Sequence, residues 1–177
     1  MRIDRDGEMR LVVATDDEED TRALATRLAA EFAGGEVLAL RGNLGAGKTV
    51  FVQGLACGLG AREPVTSPSF VIAHQYRGRL LLHHVDLYRL NPEQAADLGL
   101  EDLIAPDSVV AIEWAERLPA HLRRRVSLDI ALDFGGGERA RRIRVAVIAP
   151  AAADALRRVA AGLAAGPAAA TNGERER

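Results

Sequence analysis

Eight consecutive residues, Gly42-Asn43-Leu44-Gly45-Ala46-Gly47-Lys48-Thr49, fit the pattern G-x-x-x-x-G-K-[ST]. Gly42, Gly45 and Gly47 can adopt backbone conformations closed to residues with a Cβ, so amide N–H groups can turn inward around an anion. A helix opening near Gly47 would aim the positive end of its dipole at the same point. Lys48 brings a full charge for the β- and γ-phosphates of a nucleotide, and the Thr49 hydroxyl is the expected Mg²⁺ ligand. The whole run from Gly42 through Val50, including Asn43, Leu44 and Ala46, is therefore read as nucleotide-binding.

A nucleoside triphosphate site also needs an acid on the metal side, at the end of an apolar strand beside the glycine loop. Two acids have that setting. Asp86 closes Leu-Leu-Leu-His-His-Val-Asp, and Glu113 closes Val-Val-Ala-Ile-Glu. One would hold the metal and the other position the attacking water, and the spacing leaves open which does which. His84, two residues before Asp86, would share its strand face and orient it or another neighbour. Trp114, the only tryptophan, follows Glu113 directly and either joins the core or flanks the site. Thr66, Ser67 and Ser69 offer hydroxyls where nucleotide switches sense the γ-phosphate.

The composition narrows the class. The 177 residues suit one domain with a sizeable core, and a net charge of -2 is unlike a polycation built to coat nucleic acid. Cys57 stands alone, which excludes an internal disulfide and a cysteine-cluster metal site and fits a reducing compartment. No apolar run approaches the roughly 20 residues of a membrane span, and Met1 to Asp6 lacks the core of a signal peptide. The cytoplasm is the expected location, with no membrane partner.

The elements that must position these residues follow from periodicity. A strand is expected over Met9–Ala14. A helix capped by Thr15, with Glu18 reaching back, should run to about Phe32 through Leu24 and Leu28, and end at Gly34-Gly35. Glu36–Leu40 is the strand entering the glycine loop, and the helix after Lys48 stops near Gly58. A β-hairpin is expected from Phe70–Tyr76 and Leu80–Val85. Asn91-Pro92 should open a short helix, and another should cover Leu100–Ile104. Val109–Trp114 is continuous enough for a central strand buried on both faces. Val126–Leu132 and Arg142–Ile148 are two further strands joined by three glycines. The order predicts an α/β fold, a P-loop NTPase-like mixed β-sheet with flanking helices. Residues 1–150 would form a single ATPase domain, 151–165 an alanine-rich helix, and 166–177 a disordered tail.

Several motifs then coincide in order: Gly42 to Thr49, Phe51-Val52-Gln53-Gly54-Leu55, Thr66-Ser67-Pro68-Ser69-Phe70, His84-Val85-Asp86-Leu87-Tyr88-Arg89-Leu90, Asp97-Leu98-Gly99-Leu100 and Ile112-Glu113-Trp114. From about Thr15 to Arg144 the chain resembles the bacterial TsaE family, the ATPase of tRNA threonylcarbamoyladenosine biosynthesis. The resemblance implies binding and slow hydrolysis of ATP with Mg²⁺, and docking on the TsaB–TsaD pair that modifies adenosine 37 of tRNAs reading ANN codons. Contact with tRNA would be indirect, through that complex. Thr49 and Glu113 would be the metal-side residues, with Asp86 close to the γ-phosphate, its water or the metal. Thr21 matches a threonine that the family carries near the nucleotide. Ser69 and Trp114 would border the nucleotide, and Arg139 would reach its base or ribose. The chain departs from the family in Asn43, where Asp is common, and in Ser69, where Thr is common. The alternative is a P-loop kinase for a small metabolite, which would need an acceptor pocket and an arginine-bearing lid.

Overall fold

The computed structural model describes residues 2–3, 9–68 and 72–165. A mixed sheet runs through the molecule in the order β1-β2-β8-β7-β3-β6-β5-β4. Its strands are β1 (Arg2–Ile3), β2 (Met9–Thr15), β3 (Glu36–Arg41), β4 (Ala73–Arg77), β5 (Leu81–Asp86), β6 (Ser108–Glu113), β7 (Leu128–Phe134) and β8 (Arg141–Val147). The inner strands β7, β3, β6 and β5 are parallel, while β4 on one side and β8 and β2 on the other run antiparallel to their neighbours. The helices are α1 (Glu18–Ala30), α2 (Lys48–Gly58), α3 (Pro92–Ala96), α4 (Ala120–Arg123) and α5 (Ala153–Ala164). This is the mixed P-loop NTPase-like architecture that the element order predicts.

The period-2 alternation of the central strands sorts their side chains into two cores. Leu38 and Leu40 of β3 face one way, with Val109 and Ala111 of β6, against the apolar stripes of α1, α2 and α5. Val37 and Ala39, with Val110 and Ile112, face the other way, against Leu100, Leu118 and Leu122. Every residue of β6 is buried, as its unbroken apolar run requires.

Three local readings change. The cap of α1 is Asp17, whose side chain accepts from the Asp20 N–H. Thr15 is instead the last residue of β2, and its buried hydroxyl lies 3.0 Å from that of Thr21. The first strand of the hairpin begins at Ala73, and the expected start at Phe70 and Val71 lies outside the described residues. Glu116–Leu122, whose sequence pattern reads as short and irregular, runs into α4, and a 3₁₀ turn over Ala115–Arg117 precedes that helix. The Asn91 cap forms as expected, as a full capping box with Gln94. Residues 166–177, expected to be a disordered tail, lie outside the described residues.

Candidate nucleotide site

Parallel pairing brings three carboxyl ends side by side: Leu40 of β3 pairs with Glu113 of β6, and Glu113 with Asp86 of β5. The glycine loop leaves β3 at that rim. Gly42, Gly45 and Gly47 have φ of 143°, 77° and 96°, the left-handed region that a side chain disfavours. At Gly42 space adds to the constraint, because a Cβ would lie 2.4 Å from the Leu132 carbonyl oxygen. Gly47 caps α2, so the unpaired amides of that helix open beside Lys48 and Thr49.

A cleft of about 460 Å³ lies over this loop. Thr21, Leu44, Gly45, Ala46, Gly47, Lys48, Thr49 and Val50 line it, as do Asp86, Glu113, Trp114 and Arg139. Gly42 and Asn43 do not. Their carbonyl oxygens instead accept from Lys48 Nζ, at 2.7 and 3.0 Å. Ser69 lies outside the described residues, and the neighbouring Ser67 and Pro68 reach the cleft wall. Thr21 is buried, with its hydroxyl donating to the Asp17 carbonyl.

Glu113 is the hub of the polar contacts. Thr49 Oγ1 donates to Glu113 Oε1 at 2.8 Å, and His84 Nε2 lies 2.9 Å from the same oxygen. His84 therefore orients Glu113 and not Asp86. Asp86 accepts only from the Tyr88 N–H among the bonds of its side chain to described residues, at 2.8 Å. Burial pushes the Asp86 carboxyl above the usual carboxylate range; that amide opposes the shift and the nearby Glu113 adds to it. Burial likewise lowers the Lys48 ammonium from its ordinary value, against the pull of Glu113, Glu116 and Asp86. Lys48 Nζ also sits 3.9 Å from the centre of the Trp114 ring. Trp114 is the only non-glycine described residue with a left-handed backbone, at φ 58°. That turn lays its ring 4.8 Å from the ring of Tyr88, and the side chain both lines the cleft and packs against the second core.

Two arginines that the motifs do not single out hold the rim. Arg117 donates to the carbonyls of Leu87, Tyr88 and Leu90, bracing the turn after Asp86. Arg141 donates to those of Gly45 and Ala46 at the tip of the glycine loop. The sequence does carry a signal for the second. Arg141 alternates with the buried Ile143 and Val145, so it is a cation in inward-facing register.

A sequence model of the family described as "Threonylcarbamoyl adenosine biosynthesis protein TsaE" matches residues 15–143. The chain belongs to the TsaE family. A TsaE protein of a Nostoc species is 46% identical over 125 residues, covering 67% of this chain and 75% of the relative. That of Bacillus subtilis is 43% identical over 121 residues, covering 68% and 75%. Both are named tRNA threonylcarbamoyladenosine biosynthesis proteins. The crystal structure of YdiB from Bacillus subtilis superposes with a TM-score of 0.70 at 29% identity, covering 88% of this chain and 97% of that one. The TsaE match takes in β3, the glycine loop, Asp86, Glu113 and Arg141, and ends before α5.

Proposed function

We propose that the chain is a Mg²⁺-dependent ATP-binding protein with slow ATPase activity, working in the cytoplasm. It would be required for threonylcarbamoyl modification of adenosine 37 in tRNAs reading ANN codons, acting with TsaB and TsaD. The observation that carries the ATPase reading is the Thr49–Glu113 hydrogen bond of 2.8 Å, with Asp86 in register beside Glu113 at the mouth of the glycine loop. The pathway and partners rest on family membership.

The residues present suit magnesium, a hard cation that takes oxygen donors and shares its shell with phosphates. Thr49, Glu113 and Asp86 would supply those oxygens, and the bound ion would neutralise charge developing on the phosphate oxygens. Lys48 is held by carbonyl dipoles and a ring face in a site that disfavours its charge, so an anion entering the loop gives it a better partner. The amides at the start of α2 bind the same phosphates without needing to reorganise. Asp86, in register beside Glu113, is placed either to share the metal or to position the attacking water. Arg139, on the rim, would reach the base or ribose, and Trp114, whose ring centre lies 3.9 Å from Lys48 Nζ, would flank the nucleotide at its phosphate end.

The test is phosphate release from ATP by the purified chain, alone and with the TsaB–TsaD pair. Low turnover that the pair raises supports the reading. Turnover indifferent to the pair removes the pathway assignment, and transfer of the phosphoryl group to a small metabolite replaces the ATPase with a kinase.

A further inference from the structure

Arg141 is fixed at both ends. Its backbone, at the start of β8, is paired with Phe134 of β7 on one side and Thr15 of β2 on the other. Its guanidinium donates to four backbone carbonyls. Nε reaches Ala46 at 3.1 Å and Nη2 reaches Gly45 at 3.0 Å. Nη1 reaches Glu138 at 3.0 Å and Ala140 at 2.8 Å. The centre of the Phe134 ring lies 5.0 Å from the guanidinium carbon. No carboxylate is among these partners. A cation spent on neutral carbonyls of two separate loops is holding backbone in place.

The geometry of the peptide group says what that hold does. A planar trans peptide points its C=O and N–H in opposite directions. Drawing the Ala46 carbonyl toward Arg141 turns the Gly47 N–H to the other side. Drawing the Gly45 carbonyl the same way turns the Ala46 N–H away, where it donates to Asn43 at 3.1 Å and closes the loop. We infer that Arg141, itself on the cleft wall, is a positioning residue for diphosphate binding: it locks the tip of the glycine loop and with it the direction of the Gly47 N–H at the start of α2, and couples that tip to the β7–β8 turn. The inference rests on the loop being a nucleotide site, as proposed above. The planar fork of arginine is needed, since a lysine ammonium is a single point that cannot serve both loops from this position.

The experiment measures the affinities of ADP and AMP by calorimetry for the full-length wild type, Arg141→Ala, Arg141→Lys and Lys48→Ala, with a thermal melt of each. A nucleotide whose β-phosphate needs the aligned amide should suffer selectively. Arg141→Ala is expected to weaken ADP by roughly 10- to 100-fold, as for a lost charge-assisted contact, while AMP changes little. Arg141→Lys should fall between it and wild type. Parallel loss of ADP and AMP would mean a merely structural role and overturn the inference, as would an unchanged ADP-over-AMP preference in Arg141→Ala. If Arg141→Ala does not fold, an unchanged preference in Arg141→Lys overturns it equally. Failure of the nucleotide reading looks different: wild type would show no preference for ADP, and Lys48→Ala would match it.

Discussion

Asp86 and Glu113 stand side by side but in different company. Glu113 accepts from Thr49 and faces His84, while Asp86 is half-buried with one backbone amide. Their substitutions should therefore diverge. Glu113→Gln keeps an oxygen for Thr49 and removes the charge. It should cut ATP hydrolysis about 100-fold while ADP affinity stays within a few-fold, as measured by phosphate release and calorimetry. Retained hydrolysis would shift the metal or water role to Asp86. Asp86→Asn keeps an acceptor for the Tyr88 amide and relieves a carboxylate that burial disfavours. It should raise the melting temperature of the nucleotide- and metal-free protein while lowering turnover. The sign follows from linkage. The folded-state pKa of Asp86 lies above its ordinary value, so the folded chain binds more protons than the unfolded chain between the two. Wild type loses stability as pH rises through that interval, and the advantage of Asp86→Asn should grow across it. Melts from acid to neutral pH read this directly.

At the scale of elements, the glycine loop depends on how closely α2 approaches α1. Gly54 and Gly58 are one turn apart on α2, and a Cβ on either would lie 2.3 Å from a carbonyl oxygen of α1, that of Arg22 or of Thr26. Thr26 uses the contact, donating to the carbonyls of Arg22 and Gly54. Gly54→Val should therefore force the helices apart. The expected cost is about 1–3 kcal/mol, typical of overpacking. For a chain of this size that is a fall of roughly 2–12 °C in melting temperature, measured by calorimetry or circular dichroism. The spacing of these glycines was visible in the sequence, but Gly58 marks the end of a helix equally well. Only the partner helix shows that absence of a side chain is the requirement.

Across the whole molecule, α5 lies beyond the residues that match the TsaE family yet packs into the core beside α1. Leu156 is fully buried there, while Arg157 and Arg158 face solvent. Leu156→Ala should cost about 2–4 kcal/mol through lost burial and the cavity left behind, with ATP hydrolysis per folded molecule unchanged. Removing residues 166–177, which follow α5, should leave both phosphate release and the melting temperature unchanged. Loss of activity in that shortened chain would give the segment a role that its composition does not suggest.

The sequence alone determined the parts whose cause is local. Glycines at 42, 45 and 47 before Lys48-Thr49 specify a left-handed loop and a helix start. The unbroken apolar run before Glu113 specifies a central strand, and Asn91-Pro92 a capped helix. In each case backbone sterics or burial on both faces acts within a few residues. The tertiary structure decided what depends on strand order and register. It set Glu113 between Asp86 and Leu40, turned His84 to Glu113, and brought Arg141 from far along the chain to the tip of the glycine loop. It also moved the cap of α1 from Thr15 to Asp17, because continuing β2 through Thr15 satisfies that residue in the sheet. Such contacts join residues remote in sequence, and no local pattern of residue types encodes which strands will lie side by side.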